Sequence, residues 1–225
     1  MNLYFTRHAQ STGNVVPKTG GLDPKLTELG RRQAQALGER LATFPFDCII
    51  ASPLIRTLET ANAVASRQPN GPAPVELLPD LMECGTPSDF IPLPIEEARQ
   101  FCPTALPFSV PTPAGGGASL PEEFRDPINY LARAYRIMGY LRRRFTGDEN
   151  VLVVTHGSFL THLMNAALPT ASPGLAHFSH DNTGLSLVRY LVEDNRPRTV
   201  LGFLNDLSHL YRANITEGVA SVHAL

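Results

Sequence analysis

A chain of 225 residues with 43% hydrophobic content and a net charge of −2 has enough apolar material for a well-buried core and no electrostatic signature of nucleic acid or a membrane surface as partner. Its three cysteines, Cys48, Cys84 and Cys102, are odd in number and lack metal-ligand spacing, which argues against a disulfide scaffold and fits a reduced, cytoplasmic protein. No window holds the roughly 20 consecutive apolar residues of a membrane span, and the first residues lack the basic start and cleavage site of a secretory signal.

Strand and helix patterns alternate from the start. Leu3 to Thr6 reads as a buried strand ending at Arg7. Thr27 is a suitable N-cap for a helix from Glu28 to Leu41, with Leu29, Ala36, Leu37 and Leu41 as its apolar stripe. Asp47 to Ala51 is a second strand, after which Ser52-Pro53 reads as N-cap and first-turn proline of a helix running to about Ser66. The stretch from Gly85 to Pro121 breaks the pattern with eight prolines, the run Gly115-Gly116-Gly117 and no periodicity. It is expected to be an insertion (about 85–121) that caps one end of the sheet. A helix resumes at Pro121 and ends near Phe145, where Arg142, Arg143 and Arg144 suit the negative helix pole as solvated charges.

Asn150 to Thr155 is the clearest strand, apolar and β-branched as a strand buried on both faces should be. A helix from Ser158 to Ala167 follows, then strands at Leu185 to Val192 and Thr199 to Asn205 around a turn at Asp194-Asn195-Arg196-Pro197. The alternation implies one α/β domain over 1–225, a three-layer α/β/α sandwich with a mostly parallel sheet. Ligands of such sheets bind beyond the carboxyl ends of the strands.

Chemistry-bearing residues stand at those ends. Arg7-His8 follows the first strand, Ser52 to Arg56 the second, and His156-Gly157 the strongest. One histidine after a strand is more often a hydrogen-bonded scaffold residue than a catalyst. Two histidines and two arginines at three strand ends are harder to explain that way, because they converge on one crevice.

These segments resemble blocks of a known family. Arg7-His8-Ala9-Gln10-Ser11 with Asn14 is similar to the Arg-His-Gly-Glu/Gln-Thr/Ser signature of the histidine phosphatases, the phosphoglycerate mutase-like superfamily. Asp23-Pro24-Lys25-Leu26-Thr27-Glu28-Leu29-Gly30 with Gln33-Ala34 resembles the second block, and Ser52-Pro53-Leu54-Ile55-Arg56-Thr57-Leu58-Glu59-Thr60-Ala61 matches the third. Leu81-Met82-Glu83, Val153-Val154-Thr155-His156-Gly157 and Asn182-Thr183 follow in the family's order, and Asn205 to Leu210 resembles its C-terminal pattern.

The resemblance implies a phosphoester reaction without metal or other cofactor. His8 would be the nucleophile that accepts the phosphoryl group, Arg7 and Arg56 its grips, His156 a further donor, and Glu83 the general acid, then base. Asn14, Gln10, Ser11, Gly20, Gly21 and Gly157 would add substrate contacts. These residue types suit the chemistry, since a transferring phosphoryl group spreads negative charge over three oxygens that planar guanidinium forks can hold. Each charged hydrogen bond is worth roughly 1.5–3 kcal/mol. Nearby arginines also keep an imidazole neutral, as a nucleophile must be. A carboxylate beside a phosphate dianion is pushed toward its protonated form, the form that serves a leaving alcohol.

Ala9 departs from the family's glycine. If that position needs a positive φ, alanine is penalised; if glycine only avoids crowding, one methyl is tolerated. Glu76, Glu96, Glu97, Glu122 and Glu123 are alternative acids that read as solvated surface charges. His177 and His180 precede Asn182 in a loop that approaches the site, whereas His162 and His209 read as structural.

The family contains hydrolases, mutases and silent interaction modules. A mutase must retain a doubly phosphorylated intermediate, yet from Gly85 to Pro121 the only basic residue is Arg99, with Lys18 one further candidate nearby. A phosphomonoesterase acting on a small phosphorylated metabolite, such as a sugar phosphate, is therefore the first reading and a cofactor-dependent phosphoglycerate mutase the second. A silent module would have lost the nucleophile or an arginine, and all four core residues are present. The expected partner is a small phosphoester, with no nucleic acid and no membrane; an apolar cap that pairs with another chain leaves a homodimer open.

Overall fold

The structure, a computed structural model, describes residues 1–16, 21–87, 90–107, 129–168, 176–194 and 196–217. A seven-stranded sheet runs through it in the order β4-β3-β2-β5-β1-β6-β7. The strands are β1 (Asn2–Arg7), β2 (Cys48–Ala51), β3 (Val75–Leu77), β4 (Ala105–Leu106), β5 (Asn150–Thr155), β6 (Leu185–Glu193) and β7 (Arg196–Asp206). The first five pair in parallel, and β6 joins β1 antiparallel. Register places Arg7 beside Thr155 and Ala51 beside Val154, so β1, β2 and β5 end together.

Alternation within the strands makes the three layers. Leu3, Phe5, Ile50, Val151 and Val153 face one side. There they pack on α5 (Tyr130–Arg144) and α6 (Gly157–Ala167) through Ile137, Met138, Leu141, Phe159, Leu160 and Leu163. Ile49, Ala51, Leu152 and Val154 face the other side, against α2 (Glu28–Leu41) and α3 (Ile55–Ala65) through Leu37, Leu41, Leu58, Ala61 and Val64. A run that is apolar throughout, such as β5, is what burial on both faces requires. The α/β architecture expected from the sequence is thus present, and Thr27 caps α2 by accepting from Gly30 N.

Several local expectations are corrected. Ser52-Pro53 does not open α3; the helix starts at Ile55, whose N–H is taken by the carboxylate of Asp23 at 2.9 and 3.1 Å. The cap comes from a distant segment, which no local signal announces. Arg196 and Pro197 belong to β7 rather than to the turn, and Pro197 is tolerated because β7 is an edge strand.

The 85–121 segment is not patternless where it is described. It contains the short helix α4 (Ile95–Ala98) and β4, which extends the sheet beside β3. Ala98, Cys102 and Ala105 join the second apolar layer instead of capping the sheet. Phe90 packs against Leu54 and Met82, which follow β2 and β3. Residues 108–128, with Glu122, Glu123 and the expected helix start at Pro121, lie outside the described residues. Arg142 and Arg144 are not simply solvated: Arg142 stacks on Tyr190 and donates to its hydroxyl, and Arg144 pairs with Glu76. Glu76 is therefore a partly buried ion-pair member. Glu96 and Glu97 are exposed, as expected of surface charges.

Among the described residues no helix is long and apolar enough to cross a membrane. The crossing of α2 and α3 depends on Gly38, where a Cβ would stand 2.2 Å from the carbonyl oxygen of Ala63. Because both atoms belong to helix backbones, Gly38→Ala is expected to cost about 1–3 kcal/mol of unfolding free energy, as measured by chemical denaturation.

Candidate active site

The turn after β1 carries His8, which is buried, with 3% of its surface exposed. Its backbone is held on three sides. The N–H donates to Thr155 O at 2.9 Å, the carbonyl accepts from Asn182 Nδ2 at 2.8 Å, and the next residue, Ala9, donates to Thr60 Oγ1 on α3 at 3.0 Å. Ala9 has no positive φ, and its methyl is buried with Leu26, Ala34 and Ala63. The alternative in which glycine serves only to avoid crowding is the one that applies, and alanine fills the space.

The hydrogen bonds of His8 determine its tautomer. Nδ1 lies 2.7 Å from the carbonyl oxygen of Ala9, which can only accept, so Nδ1 carries the proton. Nε2 is then a bare lone pair, and it accepts from Nε of Arg56 at 3.2 Å. Burial, followed by the charges of Arg56 and Arg7, holds the His8 pKa well below 6.5. The ring is therefore neutral at neutral pH, with its unprotonated nitrogen turned to Arg56.

Arg56, on the first turn of α3, and Arg7, at the end of β1, bring the positive charge. Arg7 donates Nη1 to the carbonyl of His180 at 2.9 Å. Its side chain lies against Gly157, where a Cβ would meet Nε at 3.2 Å and Cζ at 3.3 Å. His156, fully buried, packs its ring 5.1 Å from that of His8 and places Nε2 2.8 Å from Ser52 Oγ. Burial and the nearby arginines lower its pKa well below 6.5 too. Among the described residues, Arg7 Nε, Arg56 Nη1 and His156 Nδ1 are all buried without a hydrogen-bond partner. Three such orphans are costly for a fold and suit an anion that accepts from them.

Glu83 closes the other side. Its Oε1 accepts from Cys84 N at 2.9 Å and from Phe159 N at 3.0 Å, so the carboxylate sits on the N-terminus of α6 beside Gly157. A cleft of ≈ 190 Å³ runs between Arg7, Glu83, Gly157 and Ser158 on one wall and His177, Phe178, Ser179 and His180 on the other. His177 lines this cleft, whereas His180 is committed to the scaffold through Ser186 Oγ at 2.9 Å. His209 likewise binds Thr183 Oγ1 at 3.0 Å, and burial lowers its pKa to about 4. His162 packs edge-on against Tyr130.

The remaining expected contacts divide. Asn14 is exposed at the rim with its amide oxygen accepting from Ser11 N at 2.9 Å, which leaves its NH2 group as the donor. Ser11 donates its hydroxyl to the same oxygen, and Gln10 offers its amide oxygen to Thr27 Oγ1 at 2.7 Å. The Ser11 hydroxyl is thereby used within the turn, while Gln10, like Asn14, keeps its NH2 group as a donor. Gly21 stands in open space with φ 72°, and Gly20 and Lys18 lie outside the described residues.

Sequence reasoning passed over Arg133 of α5, which is 1% exposed, donates Nη2 to Met82 O at 2.7 Å and lies 3.9 Å above the Phe159 ring. It thereby fixes the backbone that carries Glu83. Its signal was present: Arg133 falls on the same face as Tyr130, Ile137 and Leu141, where a solvated arginine does not belong. Gly157→Ala, which crowds a guanidinium rather than backbone, is expected to lower kcat/KM about tenfold with thermal stability little changed; steady-state kinetics and a melting curve check this.

Similarity to known proteins agrees with this geometry. The adenosylcobalamin/alpha-ribazole phosphatase of Salmonella typhimurium is 28% identical over 183 residues, covering 79% of this chain and 85% of that protein. A 2,3-bisphosphoglycerate-dependent phosphoglycerate mutase of a Methylobacterium species is 30% identical over 206 residues, covering 85% and 92%. The solved structure of a mycobacterial glucosyl-3-phosphoglycerate phosphatase with VO3 superposes with a TM-score of 0.61 at 25% identity, over 91% of this chain and 98% of that one. The model of the histidine phosphatase superfamily (branch 1) matches residues 3–201, and the chain belongs to that family.

Proposed function

We propose that the protein is a phosphomonoesterase that hydrolyses a small phosphorylated metabolite through a phosphohistidine on Nε2 of His8, with the whole chain serving as one domain. The observation that carries this reading is the fixed tautomer of His8, with Nδ1–H tied to Ala9 O and the Nε2 lone pair among Arg7, Arg56 and His156. In the first step the Arg56 Nε–H turns from His8 to a phosphoryl oxygen, the freed Nε2 lone pair attacks phosphorus, and the P–O bond to the alcohol breaks. Arg7, Arg56 and His156 hold the charge on the phosphoryl oxygens, where preorganised donors act most strongly. Glu83, at the mouth of the cleft beside Gly157, is the group that passes a proton to the departing oxygen. In the second step Glu83 takes a proton from water, the water oxygen attacks phosphorus, the P–N bond breaks, and inorganic phosphate leaves neutral His8.

Hydrolysis is favoured over mutase chemistry by where Arg99 goes. Its Nη1 pairs with Glu96 at 3.2 Å and its Nε donates to Ala105 O at 3.2 Å, so it adds no charge over the phosphate site. The cleft beside Glu83, with serines, His177 and Phe178, suits a small alcohol portion carrying hydroxyls and one apolar face.

A panel of phosphomonoesters, assayed with and without a chelator, tests the reaction. Release of phosphate that persists with chelator and is lost by at least about a thousandfold in His8→Ala is expected. No release from any ester by the intact protein, or loss of activity on chelation, would refute the reading. Interconversion of monophosphoglycerates stimulated by bisphosphoglycerate would instead establish the mutase. Glu83→Gln is expected to slow esters of poor leaving groups by about 10²–10⁴-fold and to spare aryl esters, whose leaving oxygen needs no proton.

A further inference from the structure

We infer that Asp23 is a positioning residue that governs the aim of Arg56 at His8 by holding both ends of the arginine side chain. At the backbone end, the two carboxylate oxygens accept from the N–H of Ile55, the residue immediately before Arg56, at 2.9 and 3.1 Å. At the guanidinium end, Oδ1 faces Nη1 at 3.6 Å, an ion-pair distance that leaves Nη1 without a hydrogen bond. The same guanidinium turns its Nε to Nε2 of His8 at 3.2 Å. One carboxylate thus fixes where the arginine starts and draws on where it ends, which leaves Nε the direction of His8.

Asp23 is itself held. Leu26 N donates to Glu59 Oε2 at 2.8 Å, Lys25 O accepts from Thr12 N at 3.0 Å, and Leu26 bridges Ser11. The segment from Asp23 to Leu26 is therefore a strap pinned on one side to α3 and on the other to the turn that carries His8. Asp23 and Arg56 are both largely out of water, with side chains 13% and 10% exposed, so their attraction is weakly screened.

The arrangement has a pH consequence. Burial pushes the Asp23 carboxyl up to about 6; Ile55 N–H and Arg56 oppose that rise and Glu59 adds to it. Among the described residues, Arg56 and Glu59, both on α3, are the charged groups that act on it. A carboxyl raised in the folded state favours its neutral form there, so protonation as pH falls through about 6 does not weaken the fold. It does remove the charge opposite Nη1. Activity should accordingly decline on the acid side while the protein stays folded.

This inference rests on the phosphatase reading of His8 and Arg56. It is tested by kinetics of the intact protein and of Asp23→Asn, from about pH 5 to 8, on an ester the wild type hydrolyses. Asparagine keeps an acceptor for Ile55 N–H and loses the charge. Expected for the variant at the alkaline end is a kcat about tenfold lower, a KM within about threefold, and an unchanged melting temperature. The acid limb near pH 6 in kcat should disappear, while titration of the substrate remains common to both proteins. In an Arg56→Lys background the same substitution should add little, because the Nε it positions is gone.

A variant with wild-type kcat and the same acid limb would overturn the inference. So would a loss that is undiminished beside Arg56→Lys or that follows a loss of folded protein, since a plain helix cap would behave that way. The NMR resonance of Arg56 Nε, which should titrate near pH 6 in the wild type alone, needs no turnover. If the wild type hydrolysed no ester, the phosphatase reading would fail and that resonance would still decide the role of Asp23.

Discussion

The 3.2 Å contact from Nε of Arg56 to Nε2 of His8 can form only while the imidazole is neutral, because a protonated ring would present N–H to N–H. Burial and two guanidinium charges enforce that neutrality, and the carbonyl of Ala9 selects the tautomer. The contact therefore links charge, burial and proton position in one place. His156 is subject to the same forces, so two neutral histidines lie among permanently charged arginines. Arg7 Nε, Arg56 Nη1 and His156 Nδ1 are left to meet an anion, while Arg56 Nε has to turn from His8 before Nε2 can react.

Keeping cations out of water requires compensation, and two helix N-termini are where it is organised. Glu83 sits on the first turn of α6 and Asp23 on that of α3. Each carboxylate satisfies backbone N–H groups a helix leaves unpaired, and each also bears on the arginines: Glu83 on Arg7 and Arg56, Asp23 on Arg56. Helix capping and charge compensation are thus the same contacts. The strands bring these termini together, since β1, β2 and β5 end side by side and each leads directly into a site segment. Close approaches complete the assembly. Gly30 admits the carbonyl of Gln10 where a Cβ would lie 1.9 Å away, and Gly157 admits the Arg7 guanidinium.

Much of this was legible locally. β5 announced itself because a strand buried on both faces must be apolar at every position, and α2 because Thr27 and the following stripe carry their own start signal. Arg7, His8, Arg56 and His156 were visible as polar residues at or shortly after strand ends, and the structure brings them into one cluster. Less legible were elements whose partners lie far off in the chain. β3 and β4 are three and two residues long and exist through pairing alone, and α3 takes its cap from Asp23 rather than from Ser52. Gln10 and Ser11 lie in the turn after β1, and their bonds to Thr27 and Asn14 are not announced by the sequence.

By itself, then, the sequence determined the residue types and their order: apolar runs of strand length, each followed by arginine or histidine, in blocks that place the chain in its family. Those are properties of single segments, set by periodicity and by which side chains can hold a phosphoryl charge. The tertiary structure alone decided which nitrogen of His8 is bare, that Ala9 needs no glycine, that Arg133 holds up the Glu83 segment, and that Asp23 stands behind Arg56. Each of those depends on a distance or an angle between side chains and backbone groups that only folding brings within reach. Hydrogen bonds and charges act over a few ångströms, and the separation along the chain says nothing of that distance.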